Sequence, residues 1–408
     1  MDSIRNRVLA RIKPSRAQEE HATHAITHFI TQLNKELHKK HLPARALLGG
    51  SFAKGTWLAN EFDVDIFISF DTPVDDMSAA LARALPKNAK RVHGSRDYFQ
   101  LATDGILYEI IPVLTIRTPD EAKNVTDFSP LHVAWVQRAP ALTDDIRLAK
   151  QFLKAHRLYG AESYLQGFSG HVVDILTIHY GGFEALLKHA SKWKDKTIID
   201  PAKHYKSHAL HHLNTSKTQG PLIVIDPLDK TRNAAAAVGT DAFLTFIAAA
   251  KQFLKKPRED AFHAHAFDPD KRIESTDILC KITLAPGKRD IRGNKLVKIY
   301  DFLKNQLAEF GITASNWEWD AQGPAYAWFT LKHHTLPATL IRKGPPTTMH
   351  SAAAQFRAAH TDTHTSKGTL YARVTRAHTT LRAAITTACT APYVKERCTR
   401  IDILKPGT

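Results

Sequence analysis

The stretch GGSFAKGTWLANEFDVDIF, residues 49–67, places a glycine turn shortly before two aspartates that flank a single valine. Eleven residues separate the Gly-Gly-Ser turn from the first aspartate, Asp63, and Asp65 is the second. The run from 64 to 70 is mostly apolar and predicts a buried strand. Because side chains alternate along a strand, both carboxylates are expected on the same side of it. Two anions this close repel each other unless a positive group lies between them.

A divalent cation meets that need, since Mg²⁺ prefers hard oxygen ligands and commonly shares them with substrate phosphates. The alternative is that one aspartate only caps the turn before the strand. Glu109 is the third candidate ligand, because it interrupts the apolar run Ile106–Pro112, where an unpaired charge is costly. If this run forms a neighbouring strand, its carboxylate joins the other two. The sequence therefore predicts Asp63, Asp65 and Glu109 as metal ligands and catalytic residues.

The glycine turn predicts a phosphate-binding backbone. Glycine adopts conformations that larger residues resist. Ser51 follows the two glycines and opens a predicted helix, whose free N–H groups attract phosphate. A phosphate-binding turn beside a carboxylate cluster is the equipment of nucleotidyl transfer by two metal ions. The turn alone would be weak evidence, whereas the combined spacing is specific.

Composition indicates a globular protein with a polyanionic partner. The chain has 408 residues, of which 43% are hydrophobic. No apolar run approaches the roughly 20 residues of a membrane span, and the charged N-terminus lacks a signal-peptide core. Three cysteines fit neither a zinc pattern nor a disulfide framework. We therefore expect a cytoplasmic location and no membrane partner. The formal charge of +16 and the pI near 9.6 favour a polyanion.

The positive charge is concentrated towards the C-terminus. Residues 331–408 hold twelve Lys and Arg against three Asp and Glu, which is +9 of the total. Within this region, we predict that Arg342, Lys343 and Arg357 contact a nucleic acid. The alternative is a solvated basic face without a partner.

Four segments are predicted, which together give a multidomain α+β fold. Residues 1–142 form a catalytic head with a mixed sheet, and residues 143–257 are mostly helical. The strand–helix–strand–strand order within residues 258–343 predicts a small ferredoxin-like domain. Residues 344–408 form a basic tail.

Local signals predict particular elements. Ser15 and Gln18 have the spacing of a capping box before an amphipathic helix. Asp104 and Gly105 stand between two apolar runs and predict a hairpin turn. The apolar pattern of residues 171–189 predicts one helix.

Further motifs accompany the turn and the carboxylates, namely GSFAKGTWL at 50–58, YEIIP at 108–112, SPLH at 129–132, LYGAE at 158–162, GFSG at 167–170 and VIDPLDKTRN at 224–233. Together they resemble the nucleotidyltransferase superfamily and, more closely, the archaeal-type, class I CCA-adding enzymes, which are tRNA nucleotidyltransferases. The resemblance spans about residues 15–260. That family commonly has Asp where Glu109 stands. Class II enzymes usually carry Arg-Arg-Asp soon after the carboxylate pair, and its absence here favours class I.

The resemblance implies that residues 1–142 are a nucleotidyltransferase head that uses Mg²⁺ to add CCA to tRNA 3′ ends from CTP and ATP. The triphosphate would be held by Lys150, Tyr159, Ser51 and His132. Arg232 would face the base, and Arg96 would lie near the tRNA primer. The C-terminal charges Arg342, Lys343 and Arg357 would bind tRNA. The residues that would bind the nucleotide are Gly50, Ser51, Lys54, Ser129, His132, Lys150, Tyr159, Arg232 and Asn233.

Three questions stay open at this point. A poly(A) polymerase or an oligoadenylate synthetase-like enzyme shares the head and an approximate DP…RN element, and an inactive RNA-binding relative would share the fold. A homodimer is neither required nor excluded. Arg232 has the alternative of being a surface charge at a helix start.

Overall fold

The computed structural model describes residues 2–59, 61, 63–205, 213–264 and 266–407. Contacts divide the chain into two compact units, Met1–His265 and Ala266–Thr408. The four segments predicted from the sequence are finer than these two units and stay a prediction. Among the described residues, none of the helices combines the length and the apolar character of a membrane span.

The first unit begins with two helices and a five-stranded sheet. Its elements in chain order are α1 (Asp2–Ile12), α2 (Arg16–Lys39), β1 (Ala44–Leu48), α3 (Gly50–Ala53), β2 (Asp63–Phe70), α4 (Met77–Ala82), β3 (Lys90–Val92), β4 (Tyr98–Thr103) and β5 (Ile106–Leu114). The strand order is β1-β2-β5-β4-β3. β2 and β5 are parallel, and the other neighbours are antiparallel, so the predicted mixed sheet is confirmed.

The capping box and the hairpin are confirmed. The Ser15 side chain accepts from the Gln18 backbone amide, and the Gln18 side chain accepts from the Ser15 amide. α2 buries Ile26, among other residues, in a core shared with β2 and β5. Asp104 and Gly105 join β4 to β5 with φ values of 53° and 74°, the left-handed conformations of a tight hairpin turn.

The rest of the first unit is mostly helical. Its helices and strands are α5 (Ser129–Val136), α6 (Thr143–Ala155), α7 (Gly170–Tyr180), α8 (Phe183–Ala190), β6 (Thr197–Ile199), β7 (Leu222–Val224) and α9 (Thr240–Lys255). The prediction of one helix over residues 171–189 is wrong. Gly181 and Gly182 have φ values of 79° and 130° and end α7 before α8 begins, because glycine adopts left-handed backbone at low cost.

The second unit contains two antiparallel sheets. Its helices and strands are α10 (Pro269–Glu274), β8 (Ile278–Leu284), α11 (Arg289–Gln306), β9 (Ile312–Glu318), β10 (Ala325–Leu331), β11 (Thr339–Pro346), α12 (His350–Ala359), β12 (Thr363–Ser366), β13 (Thr369–Thr375), α13 (Leu381–Thr390), α14 (Pro392–Lys395) and β14 (Cys398–Pro406). One sheet has the order β14-β8-β10-β9, and the other has the order β11-β13-β12. Leu303 of α11 and Ile385 of α13 are completely buried in the core of the larger sheet. The segment from residue 344 onward therefore supplies a strand and a core helix to this sheet.

Candidate active site

Two neighbouring strands bring the predicted carboxylates together. β2 begins at Asp63 and runs parallel to β5, with Asp65 opposite Glu109. Residues opposite each other in a sheet project to the same face. Asp65 and Glu109 are half-buried, whereas Asp63 is exposed at the start of β2. The three carboxylates therefore share one end of the sheet.

The electrostatics of this cluster favour a cation. Burial and the neighbouring Glu109 raise the pKa of Asp65 to about 6, although Lys54 and Lys150 partly offset the effect. Gln100 Nε2 donates to Glu109 Oε1 at 2.8 Å and orients that carboxylate from β4. A raised carboxylate pKa means that the negative charge is not fully compensated by the protein. Hard carboxylate oxygens in this state fit a divalent metal ion.

The glycine turn lies directly against the Asp65 carboxylate. Gly50 has φ +56°, and a Cβ there would come within 1.6 Å of Asp65 Oδ2. The Gly49 amide donates to the Asp65 carbonyl at 2.8 Å. α3 begins at Gly50. Glycine is required here both by its backbone conformation and by the approach of the carboxylate.

A cleft of about 430 Å³ opens beside these groups, and we call it the carboxylate cleft. Among the described residues, the predicted site residues that line it are Gly50, Lys54, Asp65, Arg96, Glu109, Ser129 and His132. The other predicted nucleotide-binding residues lie outside this lining, namely Ser51, Lys150, Tyr159, Arg232 and Asn233.

Two predicted phosphate-binding lysines are already held by the protein. Lys54 Nζ donates to Asp174 Oδ2 at 2.8 Å, and the side chains are 12% and 1% exposed. Lys150 is buried and donates to the Thr56 carbonyl at 3.2 Å and to its hydroxyl at 3.1 Å. Burial lowers the pKa of Lys150 to about 8. Tyr159 is half-buried, and burial raises its pKa above the usual value.

The buried carboxylate of Asp226 accepts hydrogen bonds from three side chains near the cleft. Its oxygens accept from His132 Nε2 at 3.1 Å, from His171 Nε2 at 3.0 Å and from the Arg232 guanidinium at 3.2 Å. Burial opposes the charge of Asp226, but the histidine hydrogen bonds outweigh it and hold the pKa well below its usual range. Burial lowers the pKa of His132 to about 4, so that ring is neutral at pH 7.

The ligand atoms of His132, His171 and Asp226 lie within 4.8 Å of one another, which is a spacing that can hold a metal ion. However, the Arg232 guanidinium already brings a positive charge to Asp226. We therefore interpret the group as a hydrogen-bonded network that fixes Arg232 against α5 and α7.

The side chain of the predicted residue Asn233 forms four hydrogen bonds within the protein. The Asn233 side chain donates to the Lys217 and Leu222 carbonyls and accepts from the Val224 and Ala235 amides. Its amide thus shapes the turn that carries Arg232.

Arg96 lines the cleft but forms a buried ion pair with Asp127. It also donates to the Pro112 carbonyl at 3.0 Å and to the Thr126 hydroxyl at 3.2 Å. A guanidinium with these bonds holds the end of β5, and its role towards tRNA stays a prediction.

The remaining predicted residues lie in the second unit. Arg342 and Lys343 are exposed on β11, and Arg357 is exposed on α12.

Sequence reasoning missed Gln100, Asp174 and His171. Gln100 gives no signal, because polar residues are ordinary in a strand. Asp174 interrupts the apolar helix GHVVDILTIHY, and the rule that drew attention to Glu109 would have identified it. His171 follows the GFSG motif, but one histidine among 23 gives no signal of its own.

Comparisons with known proteins agree with this geometry. A family model for a nucleotidyltransferase domain matches residues 30–200, and one for the second domain of tRNA nucleotidyltransferase matches residues 144–263. A CCA-adding enzyme of Nanoarchaeum equitans is 35% identical over 342 residues, covering 82% of this chain and 83% of that protein. One of Methanosarcina mazei is 30% identical over 330 residues, covering 76% and 70%.

Solved structures share the fold of part of the chain. Cid1 in complex with its short product ApU has a TM-score of 0.51 at 13% identity, covering 64% of this chain and 98% of that one. A cytoplasmic RNA terminal U-transferase has a TM-score of 0.50 at 12% identity, covering 65% and 98%. At these identities the likeness concerns the nucleotidyltransferase fold alone.

Proposed function

The chain belongs to the family of CCA-adding enzymes, and we propose that its carboxylate cleft adds C, C and A to tRNA 3′ ends from CTP and ATP. The observation that carries this proposal is the parallel register that sets Asp65 beside Glu109. The turn at Gly50 presents backbone to the same carboxylate. A turn that would bind phosphate therefore lies beside carboxylates that would bind metal, which is the arrangement that nucleotidyl transfer requires.

Nucleotidyltransferases use divalent metal ions, and Mg²⁺ is the ion that fits this donor set. Asp63, Asp65 and Glu109 would hold it through hard carboxylate oxygens. When bound, Mg²⁺ supplies charge that activates the 3′-hydroxyl of the primer and stabilises the leaving pyrophosphate. Gln100 on β4 fixes the orientation of the Glu109 side chain by its hydrogen bond. Glu109 is one methylene longer than the Asp common in the family, and it lies directly opposite Asp65 in the sheet.

The nucleotide would be held between the turn and the helices behind it. Gly50 and Ser51 offer backbone and hydroxyl donors, and Lys54 offers a point charge in the cleft. Lys150 and Tyr159 would support the triphosphate from behind Lys54. Ser129 and His132 line the other wall of the cleft. Residues that bind in both the ground and the transition state lower the KM for the nucleotide rather than raise kcat.

Arg232 would read the base, with Asn233 shaping the turn beneath it. Its guanidinium donates to acceptors, and cytosine N3 and adenine N1 are acceptors where uracil and guanine carry N–H groups. The carboxylate of Asp226 keeps the guanidinium in one orientation, which is what discrimination by hydrogen bonds needs.

The second unit would hold the tRNA. The chain order of β8, α11, β9, β10, α13 and β14, with sheet order β14-β8-β10-β9, supports a ferredoxin-like domain. Arg342, Lys343 and Arg357 are exposed and would contact the RNA backbone. Arg96 lines the carboxylate cleft and would act near the primer from that position. The head of residues 1–142 and the helical segment of residues 143–257 belong to the same proposal, whereas the segment from residue 344 onward contributes α13 and β14 to the α+β domain.

A poly(A) polymerase would share the fold, so the product must decide. In the test, tRNA that lacks its CCA end is incubated with CTP, ATP and Mg²⁺, and the 3′ ends are sequenced. We expect one defined CCA end, with CTP used before ATP. A homopolymer tail, or an unchanged 3′ end under conditions where the protein binds tRNA, would overturn the proposal.

A further inference from the structure

Asp174 is a buried carboxylate that forms an ion pair with Lys54 of the carboxylate cleft. It lies on α7, where its neighbours Val173 and Ile175 are fully buried, and is itself 1% exposed. One oxygen, Oδ2, accepts from Lys54 Nζ at 2.8 Å. The other oxygen, Oδ1, is buried and has no hydrogen-bond partner among the described residues. A buried carboxylate left half-satisfied costs free energy, so its presence in an apolar helix requires an explanation.

A gain in stability does not explain this buried carboxylate. A buried ion pair is weak evidence of stabilisation, since well-packed apolar residues are often as stable in its place. Lys54, the partner, is not in the core but lines the carboxylate cleft. The pair thus extends from the packed helices to the cleft.

Asp174 also acts on the second lysine. Lys150 is buried, and its amine bonds only to the Thr56 backbone and hydroxyl oxygens in the described structure. Neither of these oxygens carries a formal charge. Burial lowers the pKa of Lys150, whereas the charges of Asp174 and, to a smaller degree, Asp65 raise it. One carboxylate therefore supports both ammonium groups before any phosphate is present.

We propose that Asp174 is a positioning residue that holds Lys54 at the carboxylate cleft and supports Lys150 behind it, so that both side chains meet the triphosphate of the incoming nucleotide. The proposal rests on the proposed function of the cleft. It explains why a buried carboxylate of α7 bonds to a lysine of the cleft through one oxygen, while the other oxygen has no hydrogen-bond partner among the described residues.

The first experiment compares Asp174→Asn with wild-type protein in CTP and ATP incorporation into tRNA that lacks CCA. The substitution keeps the side-chain shape and removes the charge. We expect KM for both nucleotides to rise on the order of tenfold, while kcat changes less than about threefold, because the lysines bind the triphosphate in ground and transition state alike. A loss confined to kcat, with KM unchanged, would overturn the proposal.

Two companion variants separate charge from packing. Thr177→Val, on the same helix, removes a buried hydroxyl that donates to the Val173 carbonyl and should leave KM unchanged. Asp174→Glu restores the charge and should bring KM back to within about threefold of the wild-type value. If Asp174→Asn raises KM no more than Thr177→Val does, or if Asp174→Glu fails to recover KM, Asp174 has only a packing role.

Thermal unfolding is measured for each variant. If Asp174→Asn does not fold, the double variant Lys54→Gln/Asp174→Asn replaces it, since the buried charges are then removed as a pair. Compared with Lys54→Gln alone, the double variant should raise KM further, by about threefold or more, through Lys150. Equal KM values would contradict the claim. Failure of the wild-type protein to extend tRNA would instead reject the proposed function, whereas equal direct binding of CTP by wild-type protein and Asp174→Asn would reject only the role of Asp174.

Discussion

Asp226 shows how one buried residue sets the state of several site residues. His132 is neutral because of burial, so the positive charge that balances Asp226 comes from Arg232. Both histidines use Nε2 towards the carboxylate, which fixes the proton on that nitrogen. The site therefore presents an oriented guanidinium beside a neutral His132 ring.

The role of Arg232 in base selection can be tested by truncation. Arg232→Ala should lower incorporation of CTP and ATP and raise the relative use of UTP, because the donor that matches cytosine N3 and adenine N1 is lost. Nucleotide affinity should fall less, since Lys54, Lys150 and Tyr159 remain. Single-nucleotide incorporation with all four nucleotides measures this. Unchanged selectivity with a general loss of rate would make Arg232 a phosphate ligand or a structural residue.

Lys150 gives a pH dependence whose direction follows from its burial. Its pKa is lowered to about 8, and an amine is charged below its pKa. Triphosphate binding should be strongest below about pH 7 and weaken as the pH rises through about 8. KM for CTP, measured across this range at saturating tRNA, should therefore increase on the alkaline side. A KM that stays flat through about pH 9 would show that Lys150 does not bind the triphosphate in its charged form.

At the scale of elements, the sequence predicts what depends on local pattern. The strand beginning near Asp65, the hairpin at Gly105 and the capping box at Ser15 follow from periodicity and turn chemistry, and each is confirmed. The apolar pattern alone predicts one helix over residues 171–189, but Gly181 and Gly182 adopt positive φ and end the first helix there. The pairing of Asp65 with Glu109 is a matter of register between strands 44 residues apart, and sequence predicts the neighbourhood but not the register.

The glycine turn provides a prediction at this scale with a matched control. Gly50→Ala should abolish most activity, because the added Cβ collides with Asp65 Oδ2. Gly55 has a similar φ of +66°, but its Cβ position is open within 4 Å. Gly55→Ala should therefore lose about 1–2 kcal/mol of stability from backbone strain and retain activity. Urea unfolding and CTP incorporation measure the two effects. Equal activity losses would show that strain, not the contact with Asp65, explains the requirement.

At the scale of the whole molecule, the basic C-terminal region is more than a tail. β14 pairs with β8 across more than one hundred residues of chain, as in the pairing of Ile401 with Ile282. Such a long-range pairing leaves no signal in the local sequence, so the charge pattern alone predicts a separate tail. A truncation at Gly344 would remove this strand and disrupt the second unit. Substitution of exposed charges is therefore the informative experiment for tRNA binding.

The triple variant Arg342→Gln, Lys343→Gln, Arg357→Gln should weaken tRNA binding and flatten its salt dependence. Each phosphate contact contributes about 0.7–0.9 to the slope of log K against log salt, so three lost contacts reduce it by about two. Filter binding at several salt concentrations measures the slope.

A control with the same change of charge uses Arg16→Gln, Lys35→Gln and Lys39→Gln, which are exposed on α2 of the first unit. This variant should change the slope less. Equal slopes for both variants would mean that the C-terminal charges form only a solvated face.

The central claim is that the chain adds nucleotides at the carboxylates of β2 and β5, and Asp65→Asn tests it most directly. The substitution keeps size and removes one metal-binding charge. The measurement is single-turnover CTP incorporation, paired with the tRNA dissociation constant of the same preparation. We expect incorporation to fall by about a thousandfold or more, with the dissociation constant within about twofold of the wild-type value, because Lys and Arg contacts to phosphate dominate affinity. Near wild-type incorporation by Asp65→Asn would contradict the account.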